Sequence, residues 1–145
     1  MKKLSILLLS ALALGITTTS CTKDDDNKSA SASIVGKWTI NSYTITNSTG
    51  TSEVRSYDPD PTCTDKSFYD LKTGNTMNEH SVGDDSNNPC TAADYAGTYT
   101  FNNNILNITQ PGSSLNYTVV SMTSTKMITS KVAGGETYTY TLTRQ

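Results

Sequence analysis

The C-terminal stretch Gly134-Gly135-Glu136-Thr137-Tyr138-Thr139-Tyr140-Thr141-Leu142-Thr143-Arg144 alternates without a break between threonine and a larger residue from Thr137 onward. A period of two places Tyr138, Tyr140, Leu142 and Arg144 on one face of an extended strand and the threonines on the other. Threonine, β-branched and polar, suits a solvated pleated face, and the larger residues suit a covered one. The Gly-Gly pair ahead of the strand is a turn signal. The same pattern recurs back along the chain. Residues 126–132 lead into that turn; Leu115, Tyr117 and Val119 share a face; Tyr99 and Phe101 alternate with Thr98 and Thr100. Between these runs, Asn102-Asn103-Asn104 and Gln110-Pro111-Gly112 are turns on either side of a strand carrying Leu106 and Ile108.

Nearer the N-terminus, residues 66–72 and 76–82 flank Thr73-Gly74-Asn75, a hairpin connection, and Val54 to Tyr57 forms a weak strand. In the first strand Trp38 and Ile40 have one parity and Tyr43 and Ile45 the other, so a bulge or bend is expected near Asn41-Ser42. The tally is eight or nine strands with no crossover long enough for a helix, so consecutive strands pair antiparallel. Closing such a sheet removes exposed edges. The expected fold is therefore all-β: an eight- or nine-stranded antiparallel up-and-down barrel over residues 34–145.

Composition agrees. The 145 residues fit one domain, and 34% hydrophobic with 17% charged residues leaves Thr, Ser and Asn to fill the difference from an average protein. A formal charge of −2 offers no basic surface for phosphate, which excludes nucleic acid as the expected partner.

Residues 1–20 are read separately. Lys2 and Lys3 precede an apolar run from Leu4 to Ile16 and a small-residue zone ending at Cys21, the layout of a secretory signal. The run is too short for the roughly 20 residues of a membrane span. Thr18-Thr19-Ser20-Cys21 resembles the lipobox of bacterial lipoprotein precursors, which implies acyl chains on Cys21 and a membrane partner through them. Residues 21–33 then read as the lipidated cysteine and a polar linker with a root-mean-square reach of roughly 20 Å. Lys23-Asp24-Asp25-Asp26 resembles the signal that sends lipoproteins of some Gram-negative bacteria outward, so the expected location is the outer membrane at the cell surface. Without residues 1–20 the chain carries 9 basic and 13 acidic residues, because Lys2 and Lys3 are lost.

With Cys21 set aside, Cys63 and Cys90 are an even pair in an oxidising compartment, and a disulfide is the default. Closing a loop of roughly 28 residues would contribute about 3 to 4 kcal/mol. The alternatives are a thiol nucleophile served by His80, or a metal held by Cys63, Cys90 and His80, which lacks a close-spaced ligand pair. Asp58, Asp60, Asp65, Asp84 and Asp85 match no calcium-loop spacing and are read as a solvated surface. No nucleophile, base and orienting group can be assembled, so the reading is non-enzymatic, with no cofactor and no metal.

Gly36-Lys37-Trp38 resembles the Gly-x-Trp signature of lipocalins, and the last strand ends in Arg144. The resemblance implies that Arg144 lies across Trp38 and closes one barrel end, with Gly36 beside them, a cation–π contact of about 0.5 to 2 kcal/mol. More closely, the chain is similar to small bacterial lipocalin-like lipoprotein domains, through Cys63-Thr64-Asp65-Lys66 before Phe68, Cys90, Gly97-Thr98-Tyr99 and the closing 138–144 run. An eight-stranded barrel either fills itself or holds one small ligand. The expected inward set is Trp38, Ile40, Phe68, Tyr99, Phe101, Leu106, Ile108, Tyr117, Val119, Tyr138, Tyr140 and Leu142. Two functions follow: binding of a small hydrophobic or amphipathic ligand, or, with a filled core, an interaction module, inhibitor or accessory of a surface protein complex.

Overall fold

The computed structural model describes residues 32–58, 60, 62–83 and 90–145. The expected signal segment, Cys21, the linker up to residue 31, Asp84 and Asp85 lie outside the described residues. Nine strands follow in chain order: β1 Gly36–Thr46, β2 Ser52–Ser56, β3 Phe68–Leu71, β4 Thr76–Val82, β5 Ala92–Asn102, β6 Ile105–Gln110, β7 Ser113–Met122, β8 Lys126–Ala133 and β9 Glu136–Arg144. From β3 to β9 each strand pairs antiparallel with the next, and β9 pairs with β1 to close the ring. The result is a closed eight-stranded antiparallel β-barrel with one extra strand, β2, and no helix among the described residues.

The extra strand has a simple origin. β2 pairs with the second half of β1 (Ser42↔Ser56 to Thr46↔Ser52), and β3 pairs with the first half (Gly36↔Leu71 to Thr39↔Phe68). Both lie on one edge of β1, end to end. The ladder bridges the break: Tyr57 N–H donates to the Asn41 carbonyl at 3.2 Å, and Ile40 N–H donates to the Ser67 carbonyl at 2.9 Å. One stave of the barrel is thus split by an excursion through residues 58–66. The bulge expected in β1 is present, as a register shift against β9 between Ile40 and Ser42. It turns Tyr43 and Ile45 to the same inner face as Trp38 and Ile40.

Two-residue turns set the registers. Asn103 and Asn104 both have positive φ, 50° and 62°, the conformation that matches strand twist in a tight hairpin. The core follows the parity of the strands. Trp38, Ile40, Leu71, Leu106, Ile108, Met127 and Leu142 are fully buried, each contributing about 1.5 to 3 kcal/mol through burial of that kind. Gly97 is an inner-face position where a side chain has no room: an added Cβ would lie 2.5 Å from the Thr109 carbonyl and 3.1 Å from Met77 Sδ.

Cys63 and Cys90 are joined by a disulfide, tying the excursion to the start of β5. Asp58, expected on a solvated surface, is 4% exposed. Its carboxylate accepts from Ser67 N–H at 3.3 Å and Ser67 Oγ at 2.7 Å, and Lys66 Nζ lies 3.8 Å away. A buried carboxylate requires such partners, and the excursion supplies them locally.

Candidate functional site

The barrel has two unlike ends. At the end where β1 starts and β9 finishes, Trp38 is completely buried and its Nε1–H donates to the Ile34 carbonyl at 2.8 Å. Arg144 pairs with Trp38 in register and lays its guanidinium 4.5 Å from the ring centre. Arg144 Nη2 donates to the Ser33 carbonyl, while Nε is buried with no hydrogen-bond partner among the described residues. The indole face offsets that deficit. Gly36 has φ +149°, and a Cβ there would come 3.3 Å from Arg144 Cζ. Absence of a side chain is what lets the guanidinium seat. Arg144 therefore meets both Gly36 and Trp38 at one end of the barrel.

Above this plug the expected inward residues Ile40, Tyr99, Leu106, Ile108, Tyr117, Val119 and Leu142 are buried in one core, with Phe101 and Tyr140 packed against it. Tyr69 and Tyr117 meet across the barrel, hydroxyl to hydroxyl, at 3.3 Å. Phe68 is a correction. It pairs with Thr39, on the face opposite Trp38, so it lies on the barrel's outside, and Tyr69 takes the inner position. Outside, Phe68 stacks on His80 with ring centres 4.9 Å apart, and Lys37 Nζ sits 3.7 Å from the Phe68 centre. That outer cluster fastens the excursion. His80 Nδ1–H donates to Asp94 and Nε2–H to Asp65, both at 2.8 Å. Two carboxylate acceptors require two ring donors, hence the imidazolium. The Asp94 bond, opposed by burial and then joined by the Asp65 bond, raises the His80 pKa above its usual value, and His80 in turn lowers that of Asp65.

The opposite end is lined with tyrosine. Tyr43 stacks with Tyr140 and Tyr138 at centre distances of 5.8 and 6.4 Å; Tyr57 meets Tyr43 and Tyr140 edge to face; Tyr117 meets Tyr140 likewise at 5.6 Å. Burial pushes the phenols of Tyr57, Tyr69, Tyr117 and Tyr140 upward, so they stand as neutral hydroxyls. Tyr138, expected inward, shares the parity of Tyr140 but sits at the rim, outside the core, donating its hydroxyl to Glu136 at 2.9 Å. Lys131 pairs with Tyr138 and shares its inner face, with Nζ 5.6 to 6.0 Å from the centres of Tyr117, Tyr138 and Tyr140. On the facing wall Gln110 Nε2 donates to Glu79 at 2.7 Å. Beside the tyrosines, a cleft of about 150 Å³ is lined by Ile45, Asn47, Thr51, Ser52, Glu53, Arg55 and Glu136.

Tyr43, Tyr57, Glu79 and Lys131 were not among the expected inward residues. The Tyr43 signal was present, since a one-residue bulge after Ile40 restores it to the inner face; Lys131 and Glu79 face inward by parity despite their charge. Among the described residues no group of three or more His, Cys, Asp or Glu is placed to hold a metal ion. The site can therefore offer flat aromatic faces, phenol hydroxyls and one ammonium to a small molecule.

A search of curated proteins finds none that matches the chain. Among solved structures, a lipocalin-like protein from Bacteroides uniformis ATCC 8492 is similar at a TM-score of 0.49 and 16% identity, covering 77% of this chain and 96% of that one. An uncharacterized protein from Bacteroides eggerthii DSM 20697 is similar at 0.49 and 15%, covering 77% and 98%. Residues 34–129 match the family described as a lipocalin-like domain. That match takes in well over half of the chain, from the strand carrying Gly36 and Trp38 into β8, and the chain belongs to the lipocalin-like domain family.

Proposed function

We propose that this protein is a non-enzymatic binding protein that takes a small amphipathic molecule at the tyrosine-lined end of its barrel. The observation that carries this is the contrast between the two ends: a packed plug of Trp38 and Arg144 at one, and at the other a wall of Tyr43, Tyr57, Tyr138 and Tyr140 whose rings contact one another. The cleft beside that wall is smaller than the roughly 300 to 1,000 Å³ of usual ligand pockets and is not lined by the four tyrosines, so their faces offer a rim surface for the occupant to lie across. Titration with the neutral fluorophore N-phenyl-1-naphthylamine tests it. Saturable binding that weakens in Tyr43→Ala and Tyr138→Ala is expected; no saturable binding, or binding indifferent to both substitutions, would end the proposal.

In this reading the domain is tethered by acyl chains on Cys21 at the outer membrane, facing the cell exterior. Labelling with radioactive palmitate, lost in Cys21→Ala, and protease accessibility on intact cells test the tether and the side. A second reading, a module for a surface protein partner, is favoured by β2, which pairs only with β1 among the described residues and leaves Val54 71% exposed. A cross-linked partner lost on Val54→Lys, with fluorophore binding unchanged, would favour the module.

A further inference from the structure

We infer that the molecule taken at the tyrosine end is a small planar anion whose charge is met by Lys131. This rests on the reading of that end as a binding site and adds the charge of the ligand to it. The charged groups on the inner face there differ in what already satisfies them. Glu53 accepts two bonds from Arg55, at 3.0 and 2.8 Å, so each is the other's counter-charge. Glu136 accepts the Tyr138 hydroxyl and Glu79 accepts the Gln110 amide. Lys131 alone has aromatic faces instead of an acid: among the described residues no carboxylate lies within 4 Å of its ammonium.

At the ring faces Lys131 sets the sign, and the negative charge of Glu79 and Glu136, whose donors are neutral, lowers the net gain. Tyrosine faces by themselves attract cations. Here the chain's own ammonium already stands over three of them, so a second cation would meet like charge. An anion arriving at the rim instead gains the ammonium, and a flat apolar body gains the near-parallel surfaces of Tyr43 and Tyr140, inclined at 30°. A carboxylate or sulfonate on an aromatic ring system has both features.

The test is a matched pair of probes: 8-anilino-1-naphthalenesulfonate, which carries the anionic group, and N-phenyl-1-naphthylamine, which lacks it. Wild-type protein is expected to bind the sulfonate more tightly, by roughly five- to tenfold, the range of a partly exposed charge-assisted contact, with the preference shrinking as salt is raised. Lys131→Met keeps the apolar stem. It should abolish the preference while the neutral probe still binds saturably, and Lys131→Arg should retain the preference. The control Lys126→Met, which removes an exposed lysine at the plugged end of the same strand, should not alter the ratio. Equal binding of the two probes by wild type, or equal weakening of both in Lys131→Met, overturns the anion assignment while leaving the tyrosine site standing. If neither probe responds to Tyr43→Ala or Tyr138→Ala, the site itself falls and the assignment with it.

Discussion

Removing the Cys63–Cys90 bond is expected to lower the unfolding temperature without changing the folded barrel. The two cysteines are 27 positions apart, so the bond closes a loop of roughly 28 residues that includes β3 and β4. The chain-entropy relation gives about 12 cal/mol/K for such a loop, or about 3.6 kcal/mol at 25 °C. A domain of roughly 110 residues unfolds with an entropy near 0.23 kcal/mol/K, which converts that loss into a drop in Tm of about 15 °C. Cys63 is buried and Cys90 exposed, so alanine at both positions leaves no unpaired polar group inside. Circular dichroism melts of wild type and Cys63→Ala/Cys90→Ala, with wild type in a phosphine reductant as a second route to the open bond, measure the difference. Coincident native spectra with a drop near that figure are expected. A drop under about 4 °C in both would refute the reasoning, because it would mean that the noncovalent fastening around Asp65, His80 and Asp94 already constrains the segment.

That fastening should depend on pH. His80 has a folded-state pKa above its unfolded value, so its contribution is complete below about pH 6.5 and is lost as pH rises through the folded value. Melts between pH 6 and 9 should show wild type losing about 1 kcal/mol, the scale of a partly exposed charged contact, while His80→Gln stays flat; parallel profiles would dismiss the imidazolium. At the plugged end, Gly36→Ala should cost about 1 to 3 kcal/mol by urea denaturation. Because the intruding Cβ meets Arg144, the double variant with Arg144→Ala should be less destabilised than the two singles combined; strict additivity would remove Arg144 as the obstacle. Tyr69→Ala should destabilise by about 3 to 5 kcal/mol as a buried aromatic, and Phe68→Ala by about 1 kcal/mol; equal losses would undo the face assignment.

The barrel is legible where alternation is long. From Thr137 to Arg144 threonine holds every outer position and the inner parity follows, and in β1 the switch of parity between Ile40 and Tyr43 marks the bulge. Legibility fails where a strand is short or its inner positions are polar. Phe68 and Tyr69 are adjacent aromatics in a four-residue strand, so hydrophobicity cannot say which faces in; the pairing of Tyr69 with Trp38 does. The first half of β5, Ala92 to Ala96, is exposed at every position and carries no alternating signal. Lys131 and Glu79 face inward because the rim is wet enough to accept charge, and Asp58 is buried because Ser67, distant by nine residues, folds back onto it.

The split stave has an evolutionary and practical corollary. The two ends of the excursion are anchored to neighbouring positions on β1, at Asn41 and Ile40, whatever chain lies between them. The entropy of closing such a segment grows only as the logarithm of its length, each doubling costing about 0.6 kcal/mol. Additional residues in it therefore do not propagate as a shift of register into β3 and the strands beyond. It is a port on the scaffold where descendants of this gene, or an engineer grafting a recognition peptide, can add length between the anchors Asp58, Cys63 and Asp65 while the rest of the cylinder is inherited intact.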